Sequence, residues 1–442
     1  MRRVVKVSRI RIIITIIVVV LTTLLTGCTG KEPNEIAYVV ALGIDSTDDD
    51  NYKITIQYAN TTQISGGASE SGGKAGSEIV DNVTIEAPNI YAGVGLANNI
   101  VSKSFSMSHA KLIVFSKEIA EKGVKDMIET LVRSEEIRPD VFIAVANTTA
   151  NDYLTSVNPE MEVNPAQYYQ LIYQKNQLVG IPDGQLREFF TGLYTDNYDS
   201  IFPVAGVIEG SGGNSQNEGS EGSSESLDSF ESKSSNEKDE NEKEKDAEKN
   251  TSKYEYDIKN YVGGETAIEK KNKAEAIGAA VFEKDKMVGE VETEICKMLK
   301  GDYTYSYLTY YNNDTPDIPI TVKTTQQKKP KYKSDTDKKT VDIELYIESD
   351  LYSLPSDYNV ENKIEDFERD VANYTSSACT EFINNFTKKY NSDILKLNEK
   401  VKYKFLTNNQ YNWFKKNVGW SKYKFSVCTN FKVRRTGLIV RK

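Results

Sequence analysis

The apolar positions in the first half of the chain fall into short runs separated by turn signals. Residues 36–44 form a continuous apolar run of the length typical of a buried strand, and residues 111–115 and 140–146 are runs of the same kind. Between the last two runs, apolar residues spaced three and four apart predict one amphipathic helix that begins near Ser116. This order of strand, helix and strand predicts an N-terminal α/β region over residues 28–208, with room for two subdomains.

A second group of patterned segments follows after residue 262. Residues 276–289 contain two apolar runs joined by a charged turn, which predicts a hairpin, and residues 341–348 alternate as a half-exposed strand. Apolar residues recur at intervals of three and four over residues 364–386, which predicts one long amphipathic helix. Because such a face normally packs on a sheet, the pattern predicts an α+β C-terminal domain over residues 263–442, with the long helix on a sheet.

The last patterned segment predicts a strand with one core face and one basic face. Its apolar positions are Tyr423, Phe425, Val427, Phe431 and Val433, and the intervening positions include Lys422, Lys424 and Lys432. A basic face of this kind is either solvated or meets acidic lipid headgroups or a partner protein. Lys422, Lys424 and Lys432 are accordingly our candidate partner contact.

Residues 209–262 interrupt the apolar pattern. Within residues 211–250, twelve acids and five lysines stand among Ser, Gly and Asn, with Leu227 and Phe230 as the large apolar side chains. This composition cannot bury enough apolar surface to fold, so it predicts a disordered acidic linker rich in Ser, Glu and Lys. A mobile acidic arm that binds a basic partner is the alternative.

The first 27 residues have the pattern of a secretory signal peptide. Five basic residues precede an apolar run of about 14 residues, which is shorter than the roughly 20 needed to span a bilayer. The run ends in Leu25-Thr-Gly-Cys28, a sequence like the lipobox at which bacterial lipoproteins are cleaved. We therefore predict that the signal peptide covers residues 1–27 and that Cys28 carries diacylglycerol, whose two acyl chains give stable anchoring. An uncleaved anchor helix with an incidental cysteine is the alternative.

Charge and residue usage exclude several classes of function. The formal net charge is −10, and removal of the five basic residues near the start leaves −15 after residue 27, which argues against a nucleic-acid partner. His109 is the single histidine of the chain, so most metal sites and histidine-based catalysis are excluded, and a structural role is favoured for it. Cys296, Cys379 and Cys428 show no metal-binding spacing and are interpreted as separate packing thiols. No cofactor, metal or enzymatic activity is predicted.

Several stretches resemble the C subunit of bacterial spore germinant receptors, the GerAC or Ger(x)C germination lipoprotein family. They are Gly27-Cys28, Asn34-Glu35-Ile36, Ala41-Leu-Gly-Ile-Asp45, Ser108-His-Ala-Lys-Leu-Ile-Val-Phe115, Arg133-Ser-Glu-Glu-Ile-Arg-Pro-Asp140, Gly278-Ala-Ala-Val-Phe282, Lys284-Asp-Lys-Met-Val-Gly289 and Lys432-Val-Arg-Arg-Thr-Gly-Leu-Ile439. Their order and spacing cover nearly the whole chain after Cys28. The sequence departs from the family at Thr29, where relatives commonly carry tryptophan, and in its long acidic linker.

The resemblance implies a three-domain α+β lipoprotein with mixed sheets packed by helices. It further implies anchoring to the outer face of the spore inner membrane and action with two integral-membrane subunits, A and B, in a nutrient receptor that triggers germination. The main alternative is a solute-binding lipoprotein of a transporter, for which the 27 tyrosines could line a ligand cleft. A lipid-anchored hydrolase with His109 as its base is a third possibility.

Overall fold

We describe the protein from a computed structural model. The residues that it describes are 13–18, 35–49, 51–60, 80–159, 162, 164–174, 180–195, 198–208, 273–301, 305–312, 315–326, 328–354 and 363–436. Cys28 and the predicted linker over residues 209–262 lie outside these ranges.

The described chain contains strands and helices in both of its halves. The strands are β1 (Ile36–Ser46), β2 (Tyr52–Ala59), β3 (Val80–Ala87), β4 (Ser104–Ser106), β5 (Leu112–Ser116), β6 (Phe142–Ala146), β7 (Ile201–Val207), β8 (Ala274–Glu283), β9 (Lys286–Val291), β10 (Ser306–Asn312), β11 (Thr315–Gln326), β12 (Lys331–Asp335), β13 (Thr340–Ser353) and β14 (Lys424–Arg435). The α-helices are α1 (Ile90–Ala97), α2 (Lys117–Lys122), α3 (Lys125–Val132), α4 (Ala150–Ser156), α5 (Pro165–Tyr173), α6 (Leu186–Tyr194), α7 (Thr293–Lys300), α8 (Ile364–Tyr390), α9 (Leu397–Val401) and α10 (Asn408–Asn417).

The first sheet is mixed and has the strand order β3-β2-β1-β5-β6-β7-β8-β9, with β4 beside β1. Strands β1, β5, β6 and β7 run parallel, while hairpins extend the sheet on both sides. The parallel strands β5 and β6 are buried at every position, which explains why their sequences read as continuous apolar runs. Helices cover both faces and create two apolar cores, one with α1, α2, α3 and α6 and the other with α4 and α5.

The predicted single helix after Ser116 is two helices. Its first part, α2, ends at Gly123, whose φ of 124° is accessible to glycine and ends the helix, and α3 begins at Lys125. The β8–β9 turn lies against this break, because Val124 N donates to Asp285 O at 3.0 Å and a Cβ on Gly123 would meet Asp285 Oδ2 at 2.7 Å. The predicted apolar residues do face the core, but the helix is interrupted at Gly123, where the β8–β9 turn packs.

The strands on either side of the predicted linker belong to one sheet. Val207 pairs with Ala274 in the antiparallel β7–β8 ladder, and Ile208 N donates to Lys273 O at 2.9 Å. The hairpin β8–β9, predicted as the start of the C-terminal domain over 263–442, is therefore part of the N-terminal sheet. The sequence pattern locates the hairpin correctly but cannot say which sheet it joins, because pairing is a tertiary contact.

The second sheet has the order β10-β11-β13-β12, with β14 parallel to β13. The 27-residue helix α8 packs on this sheet through an apolar face that includes Phe367, Val371 and Phe386, and it lies closest to β14. These residues confirm the predicted long helix on a sheet. The chain as a whole is α+β, with mixed sheets packed by helices, as predicted. Within the described residues, no helix combines the length and the apolar character that a bilayer crossing requires.

Candidate functional site

The three lysines proposed as a partner contact do not form one row. Lys424 and Lys432 lie on the exposed face of β14, where exposed and buried positions alternate as predicted. The prediction that Lys422 lies on the strand is wrong. It lies in the short 3-10 helix Trp420–Lys422, and its Nζ donates to Asn417 O at 2.7 Å. Strand β14 begins two residues later, at Lys424, whose backbone N donates to Lys339 O at 2.9 Å, just before β13.

The charge of Lys432 is partly matched within the chain. Its Nζ lies 2.5 Å from Glu368 Oε2, and the Glu368 side chain is only 12% exposed. The hydrogen bond to Glu368 raises the pKa of Lys432. Arg434 forms a similar ion pair with Glu348 on β13. Lys432 is therefore paired within the chain although its side chain is 71% exposed, and Lys424 is a second exposed cation of the face.

Strand β14 is the edge of its sheet, and helix α8 covers that edge with polar side chains. Within the described residues β14 pairs with no strand other than β13. The hydrogen bonds across the edge are Phe425 N to Asn384 Oδ1 at 3.0 Å, Asn384 Nδ2 to Phe425 O at 2.9 Å, Val427 N to Thr380 Oγ1 at 3.0 Å, Thr429 N to Ser376 Oγ at 2.9 Å and Val433 N to Glu368 Oε1 at 2.9 Å.

The spacing of these groups explains the fit. Four helical residues rise about 6 Å, and two strand residues rise about 6.6 Å, so side chains four apart on α8 stay level with every second N–H of β14. Uncovered edge strands pair readily with other chains. The helix therefore blocks strand addition along this edge, and a partner of the basic face must bind side chains rather than extend the sheet.

Replacing Asn384 with alanine removes the two hydrogen bonds that hold Phe425 at the edge. We expect a destabilisation of about 1–3 kcal/mol, because a backbone donor and acceptor lose their partners. The measurement is the urea unfolding midpoint of the purified chain. Asn385→Ala is the matched control, since Asn385 is exposed on the next helical position. Equal midpoints for the two variants would contradict the proposed role of Asn384.

The two parts of the chain meet at a pair of aspartates, of which Asp393 is buried and Asp199 is partly buried. Asp199 lies just before β7, and Asp393 lies between α8 and α9. Asp393 N donates to Asp199 Oδ2 at 2.8 Å, and Asp199 N donates to Asp393 O at 3.2 Å. The carboxylate of Asp393 also begins α9, because Leu397 N and Asn398 N donate to its two oxygens at 2.8 and 2.6 Å.

Both aspartates have raised pKa values. Burial raises the pKa of Asp393 to about 7, although the two backbone N–H groups and Lys400 lower it, and Asp199 raises it further. Burial likewise raises the pKa of Asp199, with Glu283 adding to the rise and Lys284 opposing it. No local sequence pattern indicates this pair, since the two residues are 194 positions apart.

His109 has the surroundings of a structural residue. Its exposed imidazole lies with Nδ1 3.0 Å from Ser108 Oγ and with its ring edge-on to Tyr38, at 4.8 Å between centroids. The nearby Glu136 carboxylate uses Oε2 to accept a hydrogen bond from Met107 N at 2.7 Å. These contacts give no support to a hydrolytic site. In the described ranges, no three His, Cys, Asp or Glu side chains are grouped so as to hold a metal ion.

Of the three cysteines that the structure describes, two are packing residues. Cys296 and Cys379 are buried free thiols whose pKa values burial raises, whereas Cys428 is exposed and is not the packing thiol that we predicted. It lies on the outward face of β14, which the sequence pattern alone assigned to the polar side.

Three tyrosines, Tyr153, Tyr169 and Tyr173, are fully buried beneath the first sheet. The hydroxyls of Tyr153 and Tyr173 are 2.9 Å apart, and Tyr169 donates to Gln57 Oε1 at 2.5 Å. Because these hydroxyls are engaged with one another and with the sheet, the three rings fill a core rather than line an open ligand cleft. This arrangement does not favour the solute-binding alternative.

Asp45, within the stretch Ala41 to Asp45 that carried the family resemblance, has a structural task. Its Oδ1 and Oδ2 accept hydrogen bonds from Ala150 N at 2.6 Å and Asn151 N at 3.0 Å, at the start of α4. Gly43 permits the same approach, since a Cβ there would meet Leu154 Cδ1 at 3.0 Å. This stretch therefore fixes α4 to the central strand of the sheet.

The comparisons with known proteins point to spore germination proteins. Sequence models described as "Spore germination protein N-terminal domain" and "Spore germination B3/GerAC like, C-terminal" match residues 30–207 and 277–437. Spore germination protein KC of Bacillus subtilis (strain 168) is 26% identical over 174 residues, which are 36% of this chain and 42% of that protein. Spore germination protein B3 of the same organism is 26% identical over 148 residues, covering 31% of this chain and 36% of its own length.

The aligned regions thus span less than half of the length of these relatives. A crystal structure described as that of the GerBC protein aligns with 89% of this chain and 96% of its own, at 14% identity and a TM-score of 0.47. The two domain matches occur in the expected order and together take in both sheets. The chain therefore belongs to the GerAC family of spore germination proteins.

Proposed function

We propose that this protein is the lipid-anchored C subunit of a germinant receptor, held on the outer face of the spore inner membrane. It acts there with integral-membrane A and B subunits to trigger germination in response to a nutrient. The observation that carries the proposal is the match to both GerAC domains, over residues 30–207 and 277–437. The membrane attachment is proposed to be diacylglycerol on Cys28, within the lipobox-like Leu25-Thr-Gly-Cys28.

The protein is proposed to act by binding and not by catalysis. The surroundings of His109 and of the buried tyrosines support this, since the single histidine and Tyr153, Tyr169 and Tyr173 are engaged in structural contacts. A subunit without a reaction of its own influences a receptor by holding or biasing its neighbours. The linker over residues 209–262 would then separate β7 from β8 without dividing the sheet that they share.

The exposed face formed by Lys422, Lys424 and Lys432 is the proposed contact for the membrane subunits. Changing all three to glutamate reverses the local charge while leaving the apolar side of β14 intact. We expect the yield of A and B subunits that co-purify with the C subunit from spores to fall several-fold. Lys432→Glu also places two carboxylates together at Glu368, so Lys424→Glu alone is the milder variant with an unperturbed ion pair.

A charge-matched control carries the same reversal at Lys328, Lys329 and Lys388, which are exposed elsewhere in the same half of the chain. The control is expected to assemble normally, and thermal unfolding of all variants reports whether the strand remains folded. Normal co-purification of the folded Lys422, Lys424 and Lys432 variant would rule out this face.

A further inference from the structure

Residues 396–417, here called the lysine-rich cap, differ in charge from the rest of the protein. They comprise α9, the 3-10 helix Lys402–Lys404 and α10, together with the residues that join them. The cap contains six lysines and one acid, Glu399, whereas the chain after residue 27 carries a net charge of −15. It is therefore a compact cationic surface on an anionic protein.

The cap also carries the most exposed large apolar side chains. Leu406 is 94% exposed and Tyr403 is 77% exposed, the two highest values among large hydrophobic side chains of the described chain, and Trp413 is 63% exposed. Isolated exposed apolar residues are common, but here three of them fall within one short segment that also carries the lysines.

The exposure of Leu406 is built into the local structure. Thr407 caps α10 by accepting from Gln410 N at 3.3 Å, and Gln410 Oε1 accepts from Leu406 N at 3.2 Å. An apolar residue directly before a helix cap usually packs on the first turns of the helix. Here Phe405 makes that contact instead of Leu406, with its ring centroid 5.7 Å from that of Tyr411 and 5.0 Å from that of Phe414. The backbone of Leu406 is thus fixed while its side chain points away from the core.

Trp413 lies within α10, three residues after Gln410, so these two side chains are neighbours on the helix surface. Gln410 therefore contacts the backbone of Leu406 and neighbours Trp413.

Two lysines of the cap lie over aromatic rings, one on the cap itself and one on β12. The ammonium of Lys415 lies 4.7 Å from the Tyr411 ring centroid, and that of Lys400 lies 3.2 Å from the Tyr332 ring centroid. Their stems cover apolar surface while the charges stay at the surface of the protein.

We propose that the lysine-rich cap docks on the surface of an anionic lipid bilayer, with Leu406 and Trp413 entering the headgroup region and the lysines binding lipid phosphates. Leucine and tryptophan beside lysines are the combination found where proteins rest on membranes. Lysines close to an anionic membrane surface are attracted to it electrostatically. Protein interfaces, in contrast, are depleted of lysine in their cores.

This membrane contact is distinct from the lipid anchor. The inference rests on the proposed function only in requiring that a bilayer is close to the protein. An acyl anchor at Cys28 leaves the folded part free to rotate, and the negative charge of the remaining protein is repelled by anionic lipids. A second, cationic contact would select one orientation and thereby fix which face meets the membrane subunits.

The two tryptophans of the chain make the test direct, because Trp413 is exposed and Trp420 is 3% exposed. The full-length chain is reconstituted into phosphatidylcholine vesicles with or without phosphatidylglycerol, with lipids brominated on their acyl chains as quenchers. With phosphatidylglycerol, we expect about half of the tryptophan emission to be quenched, since one of the two indoles lies in the interface. Trp413→Phe should remove most of that quenching, and phosphatidylcholine alone should give little.

Two further variants separate docking from simple proximity. Lys402→Glu with Lys416→Glu should reduce the quenching at least twofold, whereas Lys328→Glu with Lys388→Glu, the charge-matched control, should not. A chain with Trp413→Phe and Ile100→Trp reports from another exposed apolar position, as Ile100 is 66% exposed, and should not be quenched.

Mass spectrometry of the amino terminus tests the anchor independently, so failure of the proposed function and failure of this inference are distinguishable. Absence of quenching, equal quenching with neutral lipid, or equal quenching at Ile100→Trp would overturn it. Protection of Trp413 only when the membrane subunits are added would assign the cap to a protein partner instead and would overturn it as well.

Discussion

Replacing Cys28 with alanine should remove the protein from the spore membrane and strongly reduce nutrient-triggered germination. Each methylene of the two acyl chains contributes about 0.8 kcal/mol to membrane binding, so loss of diacylglycerol removes an essentially permanent anchor. The apolar run that would remain uncleaved is about 14 residues long and is too short to replace it. Membrane fractionation measures the expected loss of membrane attachment. Mass spectrometry of the amino terminus measures the expected loss of both lipidation and signal-peptide cleavage.

Cys428→Ala is the matched control, because Cys428 is an exposed free thiol on β14 far along the chain from the lipobox. This variant should keep the lipidated amino terminus and normal fractionation. An unmodified mature terminus at a residue other than Cys28 in the wild type, or an intact Met1, would refute the assignment of Cys28 as the lipidated residue.

The aspartate pair Asp199 and Asp393 should make the stability of the protein fall as the pH rises. The pKa of Asp393 is raised from 3.8 to about 7 in the folded chain. Between these values the folded state holds a proton that the unfolded state has lost, so the contribution is fully present below pH 3.8 and disappears as the pH passes 7. At about 1.4 kcal/mol per pH unit, the loss is on the order of 4 kcal/mol.

Asp393→Asn removes this proton and keeps one acceptor for the start of α9. We expect it to be less stable than the wild type near pH 5, with the difference shrinking toward pH 8, where the wild type carries two neighbouring carboxylates. The measurement is the urea unfolding midpoint followed by the fluorescence of Trp420, whose Nε1 donates to Asn398 Oδ1 at 3.0 Å, next to the Asp393 cap.

Asp335→Asn provides the control with the opposite sign. Asp335 is exposed, and hydrogen bonds from the backbone of Lys338 and Asp337 lower its pKa. Its contribution is present at neutral pH and is lost only in strong acid, so its difference from the wild type should stay constant between pH 5 and 8. Parallel pH profiles for the wild type and Asp393→Asn would show that the aspartate pair does not govern stability.

Local sequence patterns determined most of the individual elements. The alternation of apolar and polar residues located β13 and β14, and the spacing of three and four located α8, because one buried face imposes the period of the element on the sequence. The helix break at Gly123 was missed because the apolar stripe continues through it. The glycine is needed there by the β8–β9 turn, whose Asp285 lies 162 residues further along the chain.

The sequence by itself also predicted the lipobox-like signal, the acidic linker and the family, since these depend on composition and on the order of short motifs. Only the tertiary structure decided that β8 and β9 complete the N-terminal sheet, that α8 closes the edge of β14, and that Asp199 meets Asp393. Each of these is a contact between segments distant in sequence. Such contacts depend on which surfaces remain to be buried or hydrogen-bonded after the local elements have formed. A local sequence pattern identifies such a surface but does not specify which distant segment will pack on it.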